Sequence, residues 1–224
     1  LNKSVLRYPE ATVMMTTTAL RPTFAEFIGT FTLVLVGVGA VAAGQGLLVG
    51  AFSHGLVVTG MIYAFGAVSG AHLNPAVSLA MFASGRLPLP TLLGYWAAQF
   101  TAAIAASLLL RLLIGEGVAG GQTLGTLTST AVWTAALFEA VQVFLLVTVI
   151  FHTAVYGRAG DFAGIAIGLT LASLILMGGV YTGASINPAR TLGPALVAGD
   201  LSYVLPYFIG LFGGGALAGF IHRA

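Results

Sequence analysis

The sequence predicts an all-α membrane protein of six transmembrane helices and two re-entrant half-helices, laid out as an inverted repeat of three spans plus three. Three observations carry that prediction. Composition is the first: of 224 residues, 58% are hydrophobic and only 6% charged, with a mean hydropathy of +1.02, whereas a soluble domain carries about 25% charged residues. The second is a set of six apolar stretches, each as long as a bilayer is thick. The third is a short motif, Asn-Pro-Ala, that occurs at residues 74–76 and again at 187–189.

Composition also excludes several kinds of chemistry. Eight Lys and Arg against six Asp and Glu give a net charge of +2, too sparse for a surface that tracks nucleic-acid phosphates. The absence of cysteine rules out disulfides, thiolate zinc sites, iron–sulfur centres and a Cys nucleophile. There is no His-Glu-x-x-His and no Gly-x-Ser-x-Gly pattern, so no enzyme, metal or cofactor is expected. The 31 glycines fit close helix packing in a bilayer. Gly29, Gly37, Gly60, Gly66, Gly94, Gly168 and Gly214 are the expected thin waists.

Residues 1–20, with Lys3, Arg7 and Pro9, read as an N-terminal arm. The spans then run over roughly 22–43, 48–68, 91–113, 131–153, 162–180 and 203–221. At 1.5 Å per residue each reaches about 28–35 Å, against a hydrocarbon core of about 30 Å. The first stretch is too long for a cleaved leader and is read as a retained span. Six spans put both termini on one side, where Lys3, Arg7, Arg21, Arg86, Arg158 and Arg223 also fall. By the positive-inside rule that side is cytoplasmic, and the membrane is taken to be the plasma (inner) membrane. Trp96, Trp133, His152 and His222 read as interfacial or packing residues.

Two segments do not fit the six. Asn74-Pro75-Ala76 and Asn187-Pro188-Ala189 each place a capping residue before a proline at the first helical position, which starts a helix at little cost. The apolar run after each motif reaches about 14 Å, half a bilayer. The two asparagines are 113 residues apart, and the same offset relates Glu26 to Glu139, Phe31 to Phe144, Gly66 to Gly179, and Ser69-Gly70-Ala71 to Thr182-Gly183-Ala184. The chain is therefore duplicated. Residues 21–115 form the first repeat with half-helix 75–83. An extracytoplasmic connection covers 116–130, and 131–224 form the second repeat with half-helix 188–197. Three is odd, so the second repeat enters from the other side, and the half-helices can meet at the midplane by their N-termini.

These motifs, with Ala25-Glu26-Phe27, Ser69-Gly70-Ala71-His72-Leu73-Asn74-Pro75-Ala76-Val77 and Gly183-Ala184-Ser185-Ile186-Asn187-Pro188-Ala189-Arg190, resemble the aquaporin and glycerol-facilitator family over nearly the whole chain. The resemblance implies a central constriction at Asn74, Pro75, Ala76, Asn187, Pro188 and Ala189. It also implies a selectivity filter at His54, Ile175, Ala184 and Arg190, a pore-lining His72 with a gating role as hypothesis, and a structural duty for Glu26 and Glu139 as acceptors for the loops that lead into the half-helices. A homotetramer in membrane lipid, passing water and small neutral solutes, is the family habit.

From physics, two facing N-termini put about half a positive charge each at the pore centre. Asn74 and Asn187 can cap their helices through oxygen while their amide hydrogens face the lumen, beside an apolar wall expected from Val58, Ile62, Leu73, Ile186 and the fifth span. Arg190 lies in the first turn of its half-helix, poor ground for a cation, so something else must hold it there. His54, within an apolar span, reads as a pore-lining donor. The His, Ile, Ala, Arg set resembles plant vacuolar-type filters, which pass water and often ammonia or small neutral solutes. Thr191 and Ala195 follow the water-channel pattern, and Pro206-Tyr207 follow it less well. Water is thus the first expectation and a glycerol or small-polyol facilitator the alternative. From another class, an ion-coupled secondary transporter shares inverted repeats, but the only acids embedded in spans are Glu26 and Glu139.

Overall fold

The structure, a computed structural model, describes residues 17–223, with side chains from residue 20. Lys3 and Arg7 of the expected arm lie outside the described residues. Helix α1 (Thr17–Ala42) starts ahead of the expected boundary and takes in Arg21 and Pro22. It is followed by α2 (Leu47–Ser69), the half-helix α3 (Pro75–Ala83) and α4 (Leu89–Ile114). A 3-10 segment (Gly115–Gly121) continues α4, and a short helix α5 (Thr126–Thr130) precedes the second repeat, so the connection between the repeats is more ordered than a loop. The second repeat contains α6 (Val132–Ile150), α7 (Ala163–Thr182), the half-helix α8 (Pro188–Ala198) and α9 (Val204–Ile221). Six of these helices are long and apolar enough to cross a membrane.

At its C-terminal end α6 runs into a π-helical turn, Phe151–Val155. The side of the molecule that carries the start of α1 and the end of α9 is termed the terminal face, and the opposite side the far face.

The two repeats interlock. Half-helix α3 packs on α4 of its own repeat and on α9 of the other, while α8 packs on α9 and on α4. Small residues make this possible. A Cβ on Gly219 would stand 2.4 Å from the Ala80 carbonyl oxygen, one on Gly215 2.7 Å from that of Ala76, and one on Gly193 2.6 Å from that of Ala103. The α2–α7 contact between the halves is equally thin. A Cβ on Gly55 or on Gly168 would lie 2.5 Å from the other's carbonyl oxygen, and Thr59 Oγ1 reaches the Gly55 and Gly164 carbonyls at 2.9 and 3.3 Å. Among the expected waists, Gly29, Gly37, Gly168 and Gly214 are tight; Gly60 is not, since a Cβ there meets nothing within 4 Å. It faces outward from α2, and the sequence pattern could not separate it from the others.

Candidate functional site

The half-helix starts arise from the Asn-Pro pairs. Asn74 and Asn187 hold extended backbones, with φ −156° and −148°. Asn74 Oδ1 accepts from the Ala76 N–H at 2.9 Å; Asn187 Oδ1 accepts from those of Ala189 and Arg190 at 2.9 and 3.3 Å. Each side-chain amide then crosses to the other repeat: Asn74 Nδ2 donates to the Ile186 carbonyl at 2.8 Å, and Asn187 Nδ2 to that of Leu73 at 2.9 Å. One hydrogen of each amide is thus spent on joining the halves, and one remains for the lumen that both asparagines line. Pro75, Ala76, Pro188 and Ala189 sit behind this junction and line neither cavity of the lumen. Trp96, expected only as a packing aromatic, donates its Nε1–H to the Pro75 carbonyl at 2.9 Å.

The loops into the half-helices repeat one strained conformation. Ala71 and Leu73 have φ of 47° and 51°, and their counterparts Ala184 and Ile186 41° and 57°, a left-handed region that costs a non-glycine residue roughly 1–3 kcal/mol. Two buried carboxylates hold them. Glu26 accepts the N–H groups of His72 and Leu73 at 2.9 and 2.7 Å and the Ser69 hydroxyl at 2.6 Å. Glu139 accepts those of Ser185 and Ile186 at 2.8 and 2.7 Å and the Thr182 hydroxyl at 2.7 Å. In a planar trans peptide the carbonyl points opposite to the following N–H. The Ala71, His72, Ala184 and Ser185 carbonyls therefore turn away from the carboxylates, toward the cavities these residues line. They form two short ladders of acceptors. Tyr95 and Tyr207 brace the loops from behind, each donating its hydroxyl to a carbonyl, that of Ser69 or Thr182, at 2.8 Å.

Two cavities meet at this scaffold. One, of about 380 Å³, opens on the terminal face beside Tyr63 and Asp161 and passes Val58, Ile62, His72, Leu73, Ile186 and, from α7, Ile167 and Leu171. The other, of about 400 Å³, opens on the far face and is lined by Gln122, Ile175 and Ala184 among others. His54 and Arg190 are the residues common to both linings, so the lumen narrows there. All four residues of the expected filter lie on the far cavity, and His72, Val58 and Ile62 on the near one.

Arg190 is held by two acceptors. Its Nη1 donates to the Gly121 carbonyl at 2.8 Å and its Nε to His54 Nε2 at 3.4 Å. His54 Nδ1 faces the Gly50 carbonyl at 2.8 Å. A carbonyl only accepts, so Nδ1 carries the proton and Nε2 offers a lone pair. His54 is thus an acceptor toward Arg190, correcting the donor role expected from sequence. Its ring fills the space that Gly37 leaves, where a Cβ would approach Nε2 to 2.5 Å.

His72 faces a different set of partners. Gln99 Nε2 donates to Glu26 Oε2 at 2.8 Å and to Ser78 Oγ at 3.0 Å. Ser78 Oγ also lies 3.0 Å from His72 Nδ1, where the hydroxyl can donate to the ring or accept from it. His72 Nε2 is buried and has no protein partner, in a residue that lines the near cavity. In the second repeat Ser185 and Thr191 hold the matching positions and bond to each other. Sequence reasoning missed Gln99, the Gly121 carbonyl and the tyrosine braces. The tyrosines escape a search at constant offset because they lie 112 rather than 113 residues apart. Nothing in the sequence marks a backbone carbonyl such as that of Gly121 as a partner.

Six membrane-length helices, two half-helices capped into one junction, and a lumen pinched between a buried arginine and a histidine define a membrane channel for small molecules. The chain belongs to the major intrinsic protein family, whose model matches residues 13–222. It is 38% identical over 221 residues to aquaporin TIP1-1 of Zea mays, covering 92% of this chain and 86% of that one. It is also 38% identical over 211 residues to glycerol uptake facilitator protein-like 6 of Lactiplantibacillus plantarum, covering 91% and 97%. The fold matches the aquaglyceroporin from Plasmodium falciparum at a TM-score of 0.81, with 23% identity and coverage of 92% and 96%.

Proposed function

We propose that the protein is a passive water channel driven by osmotic gradients, excluding protons and ions, with ammonia or other small neutral solutes as further permeants. The observation that carries this reading is the central junction, where Asn74 and Asn187 each donate across to the other repeat at 2.8 and 2.9 Å. With one amide hydrogen left on each, a water at the junction turns its oxygen to the asparagines. The cavity that both asparagines line is also lined by the side chains of Val58, Leu171 and Ile186, which offer the water no lateral partner. Its hydrogens point outward along the two carbonyl ladders, so a continuous proton wire is broken there, and the two helix N-termini raise the barrier for cations.

Specificity is assigned to His54, Ile175, Ala184 and Arg190, with the small Ala184 and aliphatic Ile175 leaving room beside the arginine. Relatives named as aquaporins and as glycerol uptake facilitators keep glycerol as the second reading. The terminal face is assigned to the cytoplasm because Arg21, Arg86, Arg158 and Arg223 gather there, and the assembly is taken as a homotetramer on family likeness. Stopped-flow light scattering of proteoliposomes tests the whole reading, with water, glycerol and methylammonium as permeants and a pH dye inside. Water flux well above that of empty vesicles without dye response is expected. Flux that saturates at low solute or needs a sodium or proton gradient would instead indicate a secondary transporter.

A further inference from the structure

The mechanism leaves unused a group of basic side chains at the terminal face. Arg86 lies just beyond α3, His152 sits within the π turn that ends α6 and Arg158 just after it, and His222 caps α9. They are held in place. Arg86 Nη1 donates to the His222 and Ser84 carbonyls at 3.0 and 3.4 Å. Arg158 Nη1 donates to His152 Nδ1 at 2.9 Å; a guanidinium only donates, so this nitrogen is unprotonated and the ring's N–H is Nε2. The His152 and His222 rings meet edge to face at 5.2 Å, and Phe151 stacks on His222 at 4.6 Å. Both guanidinium groups lie over the one Tyr156 ring, at 5.8 and 5.6 Å, and the Tyr156 hydroxyl is 3.1 Å from His222 Nδ1.

No carboxylate balances this charge among the described residues. Their one ion pair is Arg111 with Glu116, at the far face. Asp161, on a 3-10 turn (Gly160–Phe162) that leads into α7, pairs with none of the four, and its carbonyl is taken by Tyr63. Arg223 adds a further positive charge beside His222. Fixed donors grouped about one ring and without a counter-ion among the described residues are suited to binding a phosphate. The cluster sits at the end of membrane spans, where the phosphates of a lipid leaflet lie.

We propose that Arg86, His152, Arg158 and His222 form a binding site for a phosphate group, supplied by an anionic lipid headgroup or by free phosphate. The site adjoins the pore mouth without lining it, since the neighbouring Ala154 and Val155 take that place. Burial lowers the His222 pKa, and Arg86 lowers it further; a bound anion opposes the repulsion from this neighbour and favours the imidazolium. Affinity therefore rises as pH falls through the histidine range.

The test uses the purified full chain in nonionic detergent, followed by thermal unfolding at about pH 6 and about pH 8. The probes are dihexanoyl-phosphatidylglycerol, dihexanoyl-phosphatidylcholine and inorganic phosphate. A saturable rise in Tm with phosphatidylglycerol is expected and none with phosphatidylcholine, with a half-saturating concentration about fivefold lower at the lower pH, a factor equal to roughly 1 kcal/mol. Arg158→Gln and Arg86→Gln should each weaken it about fivefold or more, while Arg111→Gln on the far face leaves it unchanged. Arg86 also caps two carbonyls; if Arg86→Gln does not fold, the exposed Arg158→Gln decides. A response to inorganic phosphate equal to that of the lipid identifies free phosphate as the source, and a response to the lipid alone identifies the headgroup. No saturable response to either anion, an equal response to phosphatidylcholine, or an unchanged response in Arg158→Gln overturns the site.

Discussion

At the residue scale, the proposed filter turns on one imidazole. His54 donates from Nδ1 to Gly50 and accepts at Nε2 from Arg190, so it works less as a contact for permeants than as a strut that keeps the guanidinium against the wall. Removing it has two effects. The space between Gly37 and the lumen opens, and Arg190 keeps its bond to the Gly121 carbonyl but loses the second anchor. His54→Ala should therefore raise glycerol and methylammonium permeability relative to water by about tenfold, the scale of one or two missing methylene-sized contacts. Stopped-flow rates on the same vesicles check it. An unchanged ratio would show that the narrowing lies elsewhere.

At the scale of elements, the half-helices are held by carboxylates from behind and by glycines from the side, and the two supports can be separated. In Glu139→Gln one acceptor oxygen becomes an NH₂ group, which cannot accept from both Ser185 and Ile186 and leaves a buried donor unpaired. The expected loss is about 3 kcal/mol, read as a Tm about 6–12 °C lower and a reduced folded yield, with selectivity retained. Normal yield with proton leakage would assign Glu139 to a relay instead. Gly219→Ala should lower stability by about 1–3 kcal/mol through the Ala80 carbonyl, whereas Gly60→Ala, facing open space, should gain up to about 1 kcal/mol. Thermal unfolding of the pair distinguishes packing from helix propensity. The half-helices, their caps and the carboxylate pair are legible in the sequence because capping and duplication are local or periodic signals. The His54 acceptor role, Gln99 and the Gly121 carbonyl are not, because each depends on which atom of a distant segment arrives beside it.

For the whole molecule, the duplication makes two nearly equal halves, and function lies in where they differ. Position 77 is valine in the first repeat; its counterpart 190 is arginine. In the proposed mechanism the near-symmetric junction, with one amide bridge from each side, orients neutral molecules, while the asymmetric arginine adds a charge gate on one side only. If these are separable devices, Arg190→Val restores the symmetry of the sequence and removes only the gate. The cost to folding should be moderate: His54 Nε2, which it abandons, borders the far cavity and can be met by water, while the buried Gly121 carbonyl loses its partner. We therefore expect Arg190→Val to fold, to conduct water at least as well as the parent, and to pass methylammonium about tenfold faster once the repulsion at the narrowing is gone. Proton flux, followed by a pH dye under an imposed gradient, should still stay far below water flux, since the amide junction and the facing N-termini are untouched. Proton flux that rose in step with methylammonium would place the barrier to protons at Arg190 instead of at the paired asparagines.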